Sequence, residues 1–369
     1  FAECPLRYYL RYGVDLKERE EFTFSPVNFG VVLHAVIREV CDEIKKNGES
    51  YYMISEEKRR EMVERSVTAI TDIYQNSILK DSSRNSFMIK RMEDLADRTI
   101  WAMGEQLKCG DFVPFVFEHK FNMEVGDGDR KQLMSGTIDR VDICENGTDV
   151  YVRIIDYKTG KKDFNIVKTY YGIDIQLMVY MEAAMKLVAK MRPGKNVIPA
   201  GVFYYNISDP IVSATTESAE EIEDKIKGEL RLKGMVNSDK DIAEKMDNTE
   251  GTSLNIPVSR KADGGFDSRR SKVMNTEQFN MLGRFVDVRA VDTADRIAGG
   301  DIRRSPYKDG QFSSCDRCPY GAVCGFSVDL PGCNYRKLKK FDDEVLWNNI
   351  KEGVDENGKK MDTGAEERD

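Results

Sequence analysis

No apolar run in this sequence is long enough to cross a bilayer. The longest, Ile175 to Ala189, is broken by Glu182 and Lys186, whereas a spanning helix needs about 20 predominantly apolar residues. Positive charge is short too: 56 lysines and arginines face 64 acidic residues, for a net charge of −8. That argues against a histone-like or polybasic coat on nucleic acid and leaves room for a local basic groove. No signal-peptide pattern opens the chain, so its eight cysteines read poorly as a disulfide framework. The first residue is Phe1, without a Met and already inside what reads as a motif, so a fragment of a longer polypeptide is expected. Histidine is scarce, with only His34 and His119.

What is present is the composition of a globular protein. Of 369 residues, 40% are hydrophobic and 33% charged, enough for one large domain or two ordinary ones. Ser25-Pro26 predicts a helix start, with helix over 28–46; Val32, Ala35, Val36 and Val40 share one face. Helices over 56–79 and 87–108 follow, separated by the polar stretch DSSRNS. From Phe112 the pattern turns to strands: 113–123, 131–144 and 150–157 are rich in β-branched and aromatic residues. A helix over 173–191, a strand over 197–205, charged helices over 216–233 and 239–247, and a long amphipathic helix over 275–298 complete the order. The polar tail after Gly353 reads as disordered. This order predicts an α/β or α+β core with helices before it.

The densest chemical signal is acidic. Asp139, in GTIDRVD, and Asp156, in IIDYKTG, fall on consecutive strands. If those strands pair antiparallel, the two carboxylates meet. They repel unless a cation lies between them, and Mg²⁺ is suited to such oxygens. Lys158 lies two residues after Asp156 and shares its face, a pairing that suits metal-assisted hydrolysis. A surface Asp–Lys pair beside a turn is the plainer alternative. Gln176 and Tyr180 are four apart on the following helix. His34 is either a packed core residue or a ligand. His119 reads as structural, and Glu118 has a strand position from which it can face the acidic pair. Arg153, Lys158, Lys161, Lys162 and Lys168, then Arg260, Lys261, Arg269, Arg270 and Lys272, then Arg303 and Arg304, form basic groups that are either solvated loops or a phosphate groove.

Cys315, Cys318 and Cys324 form C-x2-C-x5-C in a loop punctuated by Pro319, Gly321 and Gly325. Three thiolates can converge on one metal centre, zinc or iron–sulfur, that wants a fourth. Cys333 and Cys4 are both candidates for that place, and a reduced, unliganded loop is the alternative. Cys41, Cys109 and Cys144 read as small core or half-buried residues.

G-x-x-D at 136–139, D-Y-K at 156–158, Q-x-x-x-Y at 176–180 and an upstream His34 resemble the RecB-type PD-(D/E)XK nuclease domain. The opening CPLRYYLRYG and the closing CDRCPYGAVCGF are similar to the C-terminal nuclease domain of the B subunit of AddAB-type helicase–nucleases. The resemblance spans roughly residues 1 to 340. It implies a restriction-endonuclease-like α/β core with a helical insertion and an iron–sulfur-stapled terminal region. It implies a 4Fe-4S cluster on Cys4, Cys315, Cys318 and Cys324, leaving out Cys333. It implies Mg²⁺ held by His34, Asp139, Asp156 and the Tyr157 carbonyl, with Lys158 acting on the attacking water and Gln176 and Tyr180 in support. Also implied are DNA as substrate, an AddA-like helicase–nuclease partner in a heterodimer, and a role in double-strand-break repair in the bacterial cytoplasm. The chain has no G-x-x-x-x-G-K-[ST] loop, so ATP hydrolysis by this piece alone is not expected. The expected organisation is an N-terminal cluster-ligand segment (1–24), a helical region carrying His34 (25–111), the nuclease core (112–205), a helical region with the cysteine loop (206–340) and a partly disordered tail (341–369). Competing readings are an inactive DNA-binding module of the same kind of complex, a stand-alone Cas4-like exonuclease and a zinc-stapled protein with unrelated chemistry.

Overall fold

The structure is a computed structural model that describes residues 1–17, 26–73, 83–126, 131–213 and 217–363. A short helix α1 (Pro5–Tyr8) runs into a π-helical turn (Tyr9–Gly13). Three long helices follow: α2 (Pro26–Lys46), α3 (Glu56–Ile73) and α4 (Ser83–Lys108). The expected Ser25 start and the end of the 56–79 helix lie outside the described residues. Strands β1 (Val113–Val125), β2 (Gln132–Asn146) and β3 (Asp149–Lys158) come next. Then come α5 (Ile166–Tyr170), α6 (Gln176–Met191), β4 (Asn196–Asn206), α7 (Ala219–Glu229), β5 (Lys233–Asn237), α8 (Lys240–Met246), β6 (Val273–Met274) and α9 (Thr276–Ala298). The C-terminal part holds β7 (Tyr307–Asp309), β8 (Phe312–Ser313), α10 (Gly321–Cys324), β9 (Arg336–Lys337) and α11 (Asp343–Thr363).

The architecture is mixed α/β. One six-stranded sheet runs β1-β2-β3-β4-β5-β6, and a small sheet runs β8-β7-β9. In the large sheet β1, β2 and β3 are an antiparallel meander, and β4 returns parallel to β3 through α6. Helices cover both faces. One face packs Val32, Leu33 and Val36 of α2 with Met92 and Ile100 of α4 against Ile155 and Phe203. The other packs Leu177 and Met181 of α6 with Phe279 and Leu282 of α9 against Val152, Ile154 and Val202. Burial of each such side chain contributes about 1.5–3 kcal/mol, so the sheet is held from both sides.

Four sequence expectations differ from this fold. The helix expected over 173–191 starts at Gln176 as α6, and an unexpected short helix α5 precedes it; Thr169 and Asp174 close the turn between them, the Thr169 hydroxyl donating to the Asp174 carbonyl at 2.8 Å and the Tyr204 hydroxyl to Asp174 Oδ1 at 2.7 Å. The charged helix expected over 216–233 ends at Glu229, and Lys233 starts β5 instead. Pairing with β4 on one side and β6 on the other decides there, over local composition. The small strands β6 to β9 carry too few residues for a period to be read. The tail after Gly353 continues helix α11 to Thr363, with Leu346 and Ile350 buried. Gly353 is a packing position: a Cβ there would lie 2.8 Å from Phe285 Cε2.

Candidate active site

β2 and β3 pair antiparallel up to Arg140 opposite Ile155, so Asp139 and Asp156 meet one step further on. Both are buried. Asp139 Oδ2 accepts the Tyr157 backbone N–H at 2.6 Å, which fixes its rotamer. Asp156 Oδ2 contacts the Lys158 ammonium but receives no hydrogen bond of good geometry. Burial and the neighbouring Asp139 charge push the Asp156 carboxyl up to about 6, although Lys158 and His34 pull it down. A buried carboxylate pair of this kind wants a cation.

α2 delivers His34 to the same place. Its Nδ1 lies 3.4 Å from Glu118 Oε1 and 3.6 Å from Asp139 Oδ1. Burial opposes a proton on His34, but hydrogen bonds and charges from Asp139 and Glu118 outweigh it, and its pKa rises to about 10. That proton sits where two carboxylates attract positive charge. Ligand atoms of His34, Glu118 and Asp139 all lie within 4.8 Å of one another, a spacing that a divalent cation could bridge in place of the proton. Tyr157 presents its ring edge-on to His34, with centroids 5.9 Å apart.

Glu118 stands outside the metal set that the resemblance implies, and its backbone explains its place. Phe117 pairs with Arg140 and His119 with Ile138, so Glu118 lies across from Asp139. Its φ is +46°, a strained left-handed value for a non-glycine residue inside a strand. Its only signal in the sequence is a strand position. The strain itself is not readable there.

Gln176 and Tyr180 project from the start of α6, with Gln176 Nε2 donating to the Tyr180 hydroxyl at 2.8 Å. Burial, then the charges of Asp156, Asp139 and Glu118, lifts the Tyr180 phenol to about 12, against the Gln176 hydrogen bond. The G of G-x-x-D has a packing reason. A Cβ on Gly136 would lie 2.9 Å from Phe121 Cε1 and 3.4 Å from Tyr180 Cε1. Its absence lets Phe121 and Tyr180 meet edge to face at 5.8 Å.

Some basic residues expected in a groove are elsewhere. Arg153 is fully buried, with its Nε on Asp142 Oδ2 at 2.8 Å. Arg260 donates to the carbonyls of Thr249, Ala243 and Asp247. Both belong to the scaffold. Lys168 pairs with Asp309, Lys272 with Asp163, and Arg303 with Asp301.

The N-terminal segment meets the cysteine loop. The Ser314 hydroxyl donates to the Glu3 carbonyl at 3.1 Å, and the Tyr320 hydroxyl to the Leu16 carbonyl at 2.9 Å. Arg304 Nη1 donates to the Cys324 carbonyl at 3.4 Å. Burial raises the Cys315 thiol; Tyr335 opposes this, and Cys318, Cys4 and Cys324 add to it. Burial also raises Cys324, with a hydrogen bond at Phe326 opposing and Cys4 and Cys318 adding. The four thiols thus lie within each other's field. Cys41 and Cys144 are buried in the core and Cys109 is half-buried.

Among the described residues no helix is long and apolar enough to cross a membrane. Comparison with known proteins gives one family and a consistent set of relatives. The chain is 33% identical over 373 residues to the B subunit of an ATP-dependent helicase/deoxyribonuclease from Thermoanaerobacter sp. (strain X514), covering 98% of this chain and 32% of the relative. A protein of the same name from Caldanaerobacter subterraneus subsp. tengcongensis is 34% identical over 380 residues, covering 100% and 32%. Another from Clostridium acetobutylicum is 33% identical over 368 residues, covering 97% and 32%. The chain therefore spans about a third of the length of these relatives. The family described as the PD-(D/E)XK nuclease superfamily matches residues 1–325. On that match, and on the sheet that carries Asp139 and Asp156, the chain belongs to the PD-(D/E)XK nuclease superfamily.

Proposed function

We propose that this chain is the Mg²⁺-dependent DNA exonuclease domain of a bacterial helicase–nuclease subunit that works with an AddA-like partner in double-strand-break repair in the cytoplasm. The observation that carries the reading is the convergence of Asp139, Asp156 and Lys158 from two paired strands with His34 from α2. His34, Asp139, Asp156 and the Tyr157 carbonyl would hold the cation, with Glu118 beside them. The cation, when bound, polarises the phosphate and stabilises charge on the leaving oxygen. Asp139 is oriented for this by the Tyr157 N–H. Lys158, paired with Asp156, positions the attacking water. Gln176 and Tyr180, linked by their own hydrogen bond, support the lysine or the DNA phosphate. The names of the relatives support the choice of DNA and of a helicase-bearing partner.

The same reading puts a 4Fe-4S cluster on Cys4, Cys315, Cys318 and Cys324. Cys333 is buried and stays outside this proposed set. The cluster would bridge α1 and the terminal loop, closing almost the whole chain into one loop. After anaerobic purification, Cys4→Ala should lose iron and melt at a lower temperature; a colourless, zinc-containing parent would overturn the cluster.

The test of the nuclease is Mg²⁺-dependent degradation of labelled single-stranded DNA by the parent beside Asp156→Ala. Cleavage by the parent alone supports the site. Equal cleavage by both overturns it, and DNA binding without cleavage by the parent favours an inactive binding module.

A further inference from the structure

A large groove begins where the acidic site ends. It has a volume of about 1340 Å³ and is lined by α4, by the loop after β3 and by β5. Thr159 and Gly160, on its wall, directly follow Lys158. Asn206 pins that loop, accepting the Lys162 N–H at 2.9 Å and donating to the Lys162 carbonyl at 3.0 Å. A Cβ on Gly30 of α2 would touch Thr159 at 3.7 Å, so the His34 helix and the groove share a wall.

The charge of this groove sets it apart on a protein of net charge −8. Its carboxylates Asp94, Asp163 and Asp209 already face Lys90, Lys272 and Arg98. By contrast Arg91, Lys161, Arg231 and Lys233 all line it, and among the described residues none of them has a carboxylate at ion-pair distance. Arg231 is half-buried and, among the described residues, its guanidinium donates to the Ser253 carbonyl alone. Among the described residues Glu229 is the one lining carboxylate left to answer four cations. Like charges held around one cavity repel, and a row of anions relieves that repulsion. On the rim, Phe87 is 65% exposed and Ile211 fully exposed. Bare apolar faces beside unpaired cations match an unstacked nucleotide strand, whose phosphates follow the positive groove while its bases stack on the rim. A duplex keeps its bases paired and offers no face to Phe87.

We infer that this groove is a track for the backbone of single-stranded DNA, leading to or from Lys158, with α4, residues 206–211 and residues 229–233 as its walls. This rests on the nuclease reading above and gives a role to two regions in which no sequence motif is recognised.

The test uses the full chain with Ca²⁺ in place of Mg²⁺ and a fluorescent oligothymidylate of about 20 nucleotides, longer than one such groove spans. Anisotropy gives the affinity at several salt concentrations. Each cation–phosphate contact contributes about −0.7 to the slope of log K against log salt on a single strand. The triple variant Arg91→Gln, Lys161→Gln, Lys233→Gln should flatten that slope by about 2. The charge-keeping variant Arg91→Lys, Lys161→Arg, Lys233→Arg should retain it, which separates lost contacts from lost folding. Phe87→Ala should weaken binding about tenfold with the slope unchanged, as for one lost stacking contact. Parallel hydrolysis of thymidine 5′-(p-nitrophenyl phosphate) by the parent with Mg²⁺ tests the acidic centre alone. Hydrolysis by the parent, with the triple variant keeping the parental slope, overturns the groove and leaves the nuclease standing. A parent that hydrolyses neither this ester nor the labelled single strand with Mg²⁺ overturns the nuclease reading itself. A parent that does not bind the oligonucleotide overturns the groove.

Discussion

Two aspartates on one strand, three residues apart, meet opposite fates. Asp139 faces α6 and the open end of the sheet, where Asp156 and His34 converge. Asp142 faces the α2–α4 side, where it is fully buried between two arginines. Arg140 grips it through Nε and Nη2, each at 2.7 Å, and Arg153 adds Nε at 2.8 Å. Burial opposes the Asp142 charge, but the two guanidiniums overcome it and hold its carboxyl below the usual range. At Asp156 burial acts the same way, and a like-charged neighbour reinforces it. A buried carboxylate answered by cations of its own chain is scaffold. One crowded by a second carboxylate keeps a raised pKa even with Lys158 beside it, and a further cation would relieve that repulsion.

The comparison breaks most sharply if the two clusters are disarmed in turn. Asp156→Ala should lower Mg²⁺-dependent DNA cleavage by on the order of 10³-fold with no loss in melting temperature, read by a nuclease assay beside thermal denaturation. Asp142→Ala should do the reverse in kind. It strands two buried guanidiniums and should cost about 3–5 kcal/mol in urea denaturation. Equal stability of the two variants would erase the distinction.

A pH series sharpens it. In metal-free protein the Asp156 pKa is raised, so its contribution is complete below the unfolded value of 3.8 and is lost as pH rises through about 6. Asp156→Asn should therefore gain stability relative to the parent across that window, by about 3 kcal/mol at most, and Mg²⁺ should cancel the gain. Asp142 titrates in the opposite sense. Its stabilisation is present above its unfolded value and is lost as pH falls. The smallest effect belongs to Glu118. Glu118→Gly should relieve the φ of +46° and stabilise the fold by about 1 kcal/mol while weakening Mg²⁺ binding, measured by calorimetry. A variant that binds Mg²⁺ as tightly as the parent would remove Glu118 from the site.

His34, Asp139, Asp156, Lys158, Gln176 and Tyr180 are legible as candidates because their spacings follow the periods of strand and helix. Those periods also place the three-strand meander and the long helices. Arg153 and Arg260 mislead for a reason that sequence proximity hides. Arg153 is three residues before Asp156, so it points to the other face of the strand, toward Asp142. Arg260 turns inward to three carbonyls. The tail helix is illegible because its apolar stripe, Leu346 and Ile350, is sparse and gains its meaning only against Phe285 of α9.

The sequence by itself determined which residues share a strand face and which side chains can serve as acids, bases and thiolate ligands, because those properties are local and periodic. It also determined that one thiol, Cys4, precedes the core and that Cys315, Cys318 and Cys324 follow it in one loop. Tertiary structure alone decided that Glu118 turns into the site, that Asp142 is closed off by arginines, and that Arg91, Lys161, Arg231 and Lys233 line one groove with no carboxylate of the described residues at ion-pair distance. Those outcomes depend on what lies across a gap in space, and electrostatic and packing energies act across that gap without regard to separation along the chain.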